Sequence, residues 1–329
     1  MVKLDSFDLK LLGELEYDSR QTLSQIAKKL NTSQQVISYR LKSLEKKEII
    51  SEYYTIIDLA KLGFTSFRTM IRFSNITKEK YKQIIDYLKN QKNILWIVDC
   101  GGRWDLLVNI LAKNATEYYF LLNEIKAKFS NQIQNYDILL TVQGIYFGRN
   151  YFVKKRELNV DFSFGTSFEN LEIDKLDLEI LNFLSENARI NAIEIANKLK
   201  VSSNTIILRI KEMKKNKIIL GFKPLIHLER IEYLGYKALI KFQNISDVKE
   251  KEMINYLRHE KNVVGVIKLI GQWDFEIEFE VENQIEMLEL TRKVRDKFKE
   301  IIKEFEIVPL YHEYKYNFFP RSLIDIEKK

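Results

Sequence analysis

The chain repeats itself, and this duplication restricts its fold more than any other feature of the sequence. Residues 4–50 align with residues 173–219 at a constant offset of 169 positions. The matches include charged and polar residues, which shared apolar patterning alone does not produce. The matched pairs are Asp5 with Asp174, Asp8 with Asp177, Arg20 with Arg189, Ser33 with Ser202, Arg40 with Arg209, and Lys42 with Lys211.

The duplication continues to the end of each unit. A three-residue insertion in the second copy interrupts the alignment. The offset is again 169 by Asn93 and Asn262, and Gly102-Arg103-Trp104-Asp105 aligns with Gly271-Gln272-Trp273-Asp274. A chain of 329 residues is long enough for both units to bury their own cores. The sequence therefore predicts two copies of one architecture.

Each unit begins with three short helical patterns and continues with alternating strand and helix patterns. In the first copy the helical patterns cover residues 5–15, 23–30 and 33–46. The order that follows is strand, helix, strand, strand, helix, strand, which is typical of a ferredoxin-like sandwich. The predicted fold class is α+β, with two repeats that each join a winged helix-turn-helix to a ferredoxin-like βαββαβ sandwich. The expected domains are 1–55 (helix-turn-helix), 56–150 (ferredoxin-like), 151–171 (linker), 172–224 (second helix-turn-helix) and 225–318 (second ferredoxin-like).

The third helical pattern of each copy has a polar outer face next to a tight turn. This arrangement fits the major groove of double-stranded DNA, where amides and hydroxyls pair with base edges. Basic side chains at the same place neutralise phosphates. The residues expected to contact DNA are Ser33, Gln34, Gln35, Ser38, Tyr39, Arg40, Lys42, Ser202, Ser203, Asn204, Arg209 and Lys211.

The distribution of charge supports a DNA partner better than the total of +7 does. Residues 1–165 contain 25 Lys and Arg against 18 Asp and Glu, whereas residues 166–329 contain 28 of each. Both helix-turn-helix segments are nevertheless basic: six cations oppose Glu45 over residues 28–47, and seven oppose Glu212 over residues 198–217. A solvated helix face is the alternative interpretation of any single lysine. Arg40 and Arg209 can either bind a phosphate or brace the fold.

Spaced motifs in both copies carry a family resemblance. They are Leu4-Asp5-x-x-Asp8-x-x-Leu11-Leu12 with Ser33-x-x-Val36-x-x-x-Arg40-Leu41, and Ile173-Asp174-x-x-Asp177-x-x-Ile180-Leu181. With these motifs the chain resembles the leucine-responsive and asparagine-operon (Lrp/AsnC) regulator family, in a tandem duplicated form. The resemblance covers nearly the entire chain. It implies promoter binding and dimerisation through the sheet domains, here as an intramolecular pseudo-dimer with homo-oligomerisation as a further expectation.

The Gly-x-Trp-Asp segments resemble the Gly-x-x-Asp turn of the family's ligand-sensing domain. Many members bind amino acids at interfaces between sheet domains, so the resemblance implies an amino-acid effector at these turns. The alternative is structural, a tight connection between strands with Trp104 and Trp273 packed beneath it. The implied effector-site residues are Gly102, Arg103, Asp105, Gly271, Gln272 and Asp274.

The chain departs from the family pattern in two places. Glu48 and Lys217 stand where the family has Gly after the third helix. A left-handed residue other than Gly costs about 1 kcal/mol, so a different turn is expected. Ser38 and Tyr39 are replaced by Ile207 and Leu208 in the second copy. Apolar groups carry less base information, so the first helix is expected to read bases more strongly and the DNA site to be asymmetric.

Composition argues against several other classes of function. A single cysteine, Cys100, and three scattered histidines provide neither a disulfide framework nor zinc-ligand spacing, so no metal or cofactor is expected. The sequence shows no signal-peptide core and no apolar run of about 18 residues. We therefore expect a cytoplasmic protein without a membrane span.

Two alternatives to a sequence-specific regulator stay open. Sirohaem decarboxylases share the two-part architecture, but their chemistry should need His and Arg around a tetrapyrrole carboxylate, and residues 51–73 contain no His. A nonspecific architectural DNA-binding protein is suggested by Ile207 and Leu208. Its DNA affinity would fall steeply with salt and vary little with sequence. The leading interpretation is a regulator and not an enzyme.

Overall fold

Helices and strands alternate in the same order in both halves of the chain. A computed structural model describes residues 4–152, 162–166, 171–320 and 323. The helices are α1 Ser6–Tyr17, α2 Leu23–Lys29, α3 Gln34–Lys46, α4 Lys78–Lys89, α5 Ala115–Phe129, α6 Lys175–Glu186, α7 Ala192–Leu199, α8 Ser203–Lys215, α9 Asp247–His259 and α10 Gln284–Lys297. The strands are β1 Ile50–Ile57, β2 Thr65–Phe73, β3 Ile94–Cys100, β4 Leu106–Ala112, β5 Ile133–Tyr146, β6 Phe162–Phe164, β7 Ile219–Ile226, β8 Leu234–Phe242, β9 Val263–Ile270, β10 Phe275–Val281 and β11 Ile302–Tyr316. The predicted α+β class with two repeats is confirmed.

Side-chain caps determine where the helices of the helix-turn-helix units begin. Asp5 accepts hydrogen bonds from the backbone N–H groups of Phe7 (2.9 Å) and Asp8 (2.8 Å) at the start of α1. Ser33 accepts one from the N–H of Val36 at 3.3 Å, and Ser202 caps α8 in the same way. These oxygens satisfy backbone donors that the first helical turn leaves without an intrahelical partner. The predicted helix starts after Asp5 and Ser33 are confirmed.

Eight strands from both repeats form one closed ring of antiparallel pairs. Its order is β2-β4-β3-β11-β8-β10-β9-β5, and β5 pairs again with β2. The long strands β5 and β11 close the ring because each pairs first with its own sheet and then with the sheet of the other repeat. Helices α4 and α5 pack on the first sheet, and α9 and α10 pack on the second. Apolar residues from both sheets, including Trp104 and Trp273, fill the space between them.

The two helix-turn-helix units are joined by an antiparallel ribbon of β1 and β7. Reciprocal arginines reinforce the ribbon. Arg20 Nη1 donates to the carbonyl oxygens of Ala188 (2.5 Å) and Ile190 (2.9 Å), while Arg189 donates to the carbonyl of Ser19. Each arginine thus binds backbone of the opposite repeat, and the two units are held at a fixed separation.

Each helix-turn-helix also completes its core with side chains of the other repeat. Ile226 and Ile231 of the second repeat pack into the cluster formed by α1, α2 and α3, together with Phe152 from the segment that follows β5. Ile57 and Leu59 pack into the cluster formed by α6, α7 and α8. Burial of such side chains contributes about 1.5–3 kcal/mol each. The repeats are therefore interleaved, although their domains follow one another along the sequence.

The segment predicted as a linker, residues 151–171, contains a strand where it is described. β6 pairs with the end of β5, with Gly144 opposite Phe164. The remainder of that segment, at 153–161 and 167–170, lies outside the described residues. In the described ranges, no helix is both long enough and apolar enough to cross a lipid bilayer.

Candidate nucleic-acid interface

The first recognition helix, α3, places its polar residues outward as predicted. Its inner face buries Ile37, Leu41 and Leu44, and these side chains anchor the helix to α1 and α2. Tyr39 is 73% exposed, so its ring and hydroxyl are available to a partner. Val36 is 41% exposed and joins the outer face. The other exposed or half-buried residues of this face are Ser33, Gln34, Gln35, Ser38 and Lys42.

The second recognition helix, α8, is anchored in the same way as α3 but has a more apolar outer face. Ile206, Ile210 and Met213 are buried. Ile207 is 52% exposed and Leu208 is 63% exposed, in the positions that Ser38 and Tyr39 occupy on α3. Asn204 and Lys211 are exposed and Ser203 is half-buried, so this helix also presents groups that can bind DNA.

Arg40 and Arg209 brace the two motifs internally. Arg40 Nη1 lies 2.7 Å from Asp5 Oδ2 and 3.2 Å from Asp8 Oδ1, which joins α3 to the start of α1. The hydrogen bond to Asp5 raises the pKa of the Arg40 guanidinium above its usual value. Arg209 makes the equivalent pair of contacts in the second repeat, at 2.8 and 3.1 Å. The spaced aspartates of the motif thus position the recognition helix, and a phosphate contact by either arginine stays a prediction.

The turn after each recognition helix keeps the left-handed conformation despite its residue types. Glu48 and Lys217 both have φ of +55°. The expectation of a different turn is wrong. Burial of the following residue in each repeat, Ile49 and Ile218, ties the chain to this path. The conformational cost, about 1 kcal/mol, is retained in both copies.

The aspartates of the Gly-x-Trp-Asp turns bind the backbone N–H of the last residue of strands β2 and β8. Asp105 Oδ2 accepts a hydrogen bond from the N–H of Phe73 at 2.7 Å, and Asp274 Oδ2 accepts one from the N–H of Phe242 at 2.9 Å. Trp104 and Trp273 are almost fully buried in the core between the sheets, in agreement with the structural interpretation of these turns. The aspartates therefore have a folding role whatever else they bind.

The two turns also meet through their variable residues. Gly102 and Gly271 have positive φ, and a Cβ on Gly271 would lie 2.8 Å from the carbonyl oxygen of Ile138. Oriented to satisfy its neighbours, the Gln272 amide accepts from Arg103 Nη1 at 3.0 Å and donates to Asp137 Oδ2 at 2.7 Å. The turns thus border the junction between the repeats, and an amino-acid effector at this place stays a prediction.

Arg20 and Arg189 are functional residues that the sequence reasoning missed. They bind backbone of the opposite helix-turn-helix unit and, with the β1–β7 ribbon, help to hold α3 and α8 relative to each other. The available signal was an arginine matched at constant offset just before the second helix of each copy. Its backbone partners could not be identified from that match.

Two recognition helices with exposed outer faces, held by one interleaved scaffold, define a DNA-binding protein of the winged helix-turn-helix class. The family model for winged helix-turn-helix DNA-binding domains matches residues 4–51 and 173–219. An uncharacterized HTH-type transcriptional regulator of Pyrococcus abyssi is 30% identical over 132 residues, which cover 40% of this chain and 88% of that protein. One of Pyrococcus horikoshii is 30% identical over 147 residues, which cover 43% of this chain and 93% of that protein. The chain belongs to the same family as these HTH-type transcriptional regulators, in a tandem form, in agreement with the Lrp/AsnC resemblance of its motifs.

The whole architecture has a solved counterpart. The crystal structure of the siroheme decarboxylase NirDL aligns over 99% of this chain and 100% of that chain, with a TM-score of 0.61 and 11% sequence identity. At this identity the likeness concerns the fold only.

Proposed function

We propose that this chain is a sequence-specific, DNA-binding transcriptional regulator that acts as a covalent pseudo-dimer. Family membership and the exposed residues of α3 support the proposal. The observation that carries it is the pair of unequal recognition helices on one interleaved scaffold, with Tyr39 exposed on α3 and Leu208 exposed on α8. A single chain then supplies both of the recognition helices that bind an asymmetric site in double-stranded DNA.

Selection from random DNA followed by footprinting tests this function. The full chain is incubated with a pool of random duplexes at fixed salt, and bound fragments are sequenced. We expect an asymmetric consensus whose two halves are about one helical turn apart, with the stronger half protected by α3. A strict palindrome bound by the first motif of two chains would refute the pseudo-dimer.

The architectural alternative predicts a different result in the same assay. Binding would fall steeply with salt and would enrich no sequence. Repeating the selection with and without a pool of amino acids tests whether an effector changes the site or the affinity. Light scattering of the purified protein distinguishes one chain from higher assemblies, which we propose only as an addition to the pseudo-dimer.

Tetrapyrrole decarboxylation is a second candidate, favoured by the alignment with NirDL along the whole chain. Charge opposes it. A 640 Å³ cavity between the ribbon and the ring is lined by six glutamates, with Arg149 and His227 as its basic groups, and this charge disfavours a substrate rich in carboxylates. Titration of the protein with iron uroporphyrin, followed by absorbance, decides between the two. Saturable binding with release of carbon dioxide would replace the regulator proposal.

A further inference from the structure

The 640 Å³ cavity named above lies between the β1–β7 ribbon and the second sheet. We call it the ribbon cavity. Five tyrosines and one phenylalanine contribute to its walls, and Tyr54 and Tyr236 are buried on either side. A cavity that combines apolar walls with converging polar groups is the usual form of a small-molecule site. The tyrosines that line it are Tyr54, Tyr233, Tyr236, Tyr311 and Tyr316.

The polar groups of the ribbon cavity are mostly carboxylates. Arg149 is the one Lys or Arg among the lining residues, and Glu280 (2.9 Å) and Glu16 (3.3 Å) already neutralise its guanidinium. Glu278 lies 3.4 Å from Lys237 Nζ, and Glu229 lies 3.4 Å from His227 Nδ1, so these two carboxylates are partly balanced. Glu282 accepts a hydrogen bond from the neutral hydroxyl of Tyr233 at 3.0 Å, so its charge is not balanced by that contact. The lining glutamates are Glu229, Glu232, Glu278, Glu280, Glu282 and Glu313.

The first repeat provides an internal comparison, because the equivalent place has less negative charge and less space. Asn109, Leu111 and Lys113 of the first repeat align with Glu278, Glu280 and Glu282 at the offset of 169. The equivalent cavity is smaller, about 350 Å³. The ring of Phe164, from β6, covers Gly144 so closely that a Cβ there would clash with it, and Gly144 aligns with Glu313. The acidic open cavity is thus a property of the second repeat and not of the fold.

We propose that the ribbon cavity binds an organic diamine or polyamine. Ammonium groups would pair with the glutamates, and the intervening methylenes would pack on the tyrosine rings, which also attract cations through their faces. An amino acid fits less well because its own carboxylate would be repelled. A metal ion fits less well because, among the described residues, no three or more His, Cys, Asp or Glu side chains are grouped to hold one.

The cavity is placed to influence the recognition helices. Tyr54 belongs to β1, and Leu225 and Ile226 belong to β7, so one wall is the ribbon that joins the two helix-turn-helix units. On the other side, Arg149 links Glu280 of β10 to Glu16 of α1. A bound amine that draws Glu280 away from Arg149 would loosen α1 from the sheet. This effect on DNA rests on the proposed function, whereas amine binding does not.

Calorimetric titration of the full chain with 1,4-diaminobutane and with spermidine tests the site directly. The variant Glu278→Asn with Glu282→Lys gives the ribbon cavity two side chains of its counterpart. The control Glu289→Asn with Glu300→Lys makes the same change of net charge at exposed positions outside the cavity. We expect saturable binding by the original chain and by the control, and affinity at least tenfold weaker in the cavity variant. The uncharged 1,4-butanediol should not bind.

Absence of amine binding, or equal losses in the cavity variant and the control, would overturn the proposal. DNA affinity is measured separately on the sites selected above, with and without spermidine, for the original chain and the cavity variant. Amine binding by a chain that does not bind DNA would refute the proposed regulator and still support the amine site. A spermidine effect on DNA affinity that persists in the cavity variant would refute the coupling.

Discussion

The outer faces of α3 and α8 differ far more than the contacts that hold the two helices in place. Both helices are capped by a serine, bury three apolar side chains and are fixed to the first helix of their unit by one arginine and two aspartates. Outward, α3 presents Ser38 and Tyr39 where α8 presents Ile207 and Leu208. The two copies thus share the contacts that position the helix and differ on the surface that faces outward.

The two repeats also differ in particular side chains inside the ring of strands, although the strands themselves correspond. Arg68 of the first repeat aligns with Lys237 of the second, but Glu276, which binds both, aligns with Leu107. One repeat thus supplies the carboxylate for two buried cations. If two first sheets paired with each other, their buried Arg68 side chains would have no such carboxylate, because the first repeat has Leu107 at the position of Glu276.

The largest effect is expected when Glu276 is given the residue of its counterpart, Glu276→Leu. Its carboxylate is fully buried, 2.9 Å from Arg68 Nη1 and 2.6 Å from Lys237 Nζ. Its removal leaves the buried Arg68 without this carboxylate and Lys237 with only the longer pair to Glu278 at 3.4 Å. It should lower the free energy of unfolding by about 3–5 kcal/mol, measured by urea denaturation.

Two further variants define the cause of that loss. Glu252→Gln, in the exposed pair with Lys249, should change stability by less than about 1 kcal/mol. Adding Arg68→Met and Lys237→Met to Glu276→Leu should recover most of the loss, because the charges are then removed together. A triple variant no more stable than Glu276→Leu would show that packing, not charge, explains the effect.

The next effect concerns DNA and contrasts the two recognition helices. Replacing Gln34, Gln35 and Ser38 with Ala should weaken binding to the selected site at least tenfold and relax its sequence preference, since one good side-chain-to-base pairing is worth about 1–3 kcal/mol. The matched set on α8, Ser203→Ala, Asn204→Ala and Ile207→Ala, should cost less. Fluorescence anisotropy over a salt series measures both. Lys42 and Lys211 are retained, so neither set should change the salt slope, and equal losses would contradict the asymmetry.

The local structure of this chain was largely predictable from its sequence. The predicted order ends each repeat with a strand, and these strands are found at Ile133–Tyr146 and Ile302–Tyr316. The partners of their second halves were not predictable, because pairing across the repeats depends on contacts that local periodicity does not contain. The same applies to Glu278, Glu280 and Glu282, whose alternation along one strand is typical of a solvated face and here borders a cavity.

A pH-dependent effect should distinguish the ribbon cavity from its counterpart. Burial beside Glu278 and Glu280, only partly offset by Arg149 and by the hydrogen bond from Trp96 (2.7 Å), raises the pKa of Glu313 to about 7. The folded state then holds this proton more tightly than the unfolded state, so the contribution of Glu313 to stability falls as pH rises from its ordinary pKa to about 7.

Glu313→Gln should therefore flatten the decline in stability between pH 5 and 7, as measured by urea unfolding at each pH. Gln can still accept the hydrogen bond from Trp96, so the fold is retained. The exposed substitution Glu304→Gln serves as the control and should leave the profile unchanged. Parallel profiles for Glu313→Gln and the original chain would contradict the assigned pKa.

The smallest effect comes from the left-handed turns that the two repeats share. Lys217→Gly should stabilise the chain by roughly 0.5–1 kcal/mol, because Gly adopts φ of +55° without the steric cost that a side chain carries, partly offset by its greater freedom when unfolded. Glu48→Gly should gain less, since Glu48 also forms an exposed ion pair with Arg230. Urea denaturation of both variants gives the comparison. A larger gain at Glu48 than at Lys217 would mean that the ion pair with Arg230 is itself unfavourable, and the two turns would then differ in energy as well as in sequence.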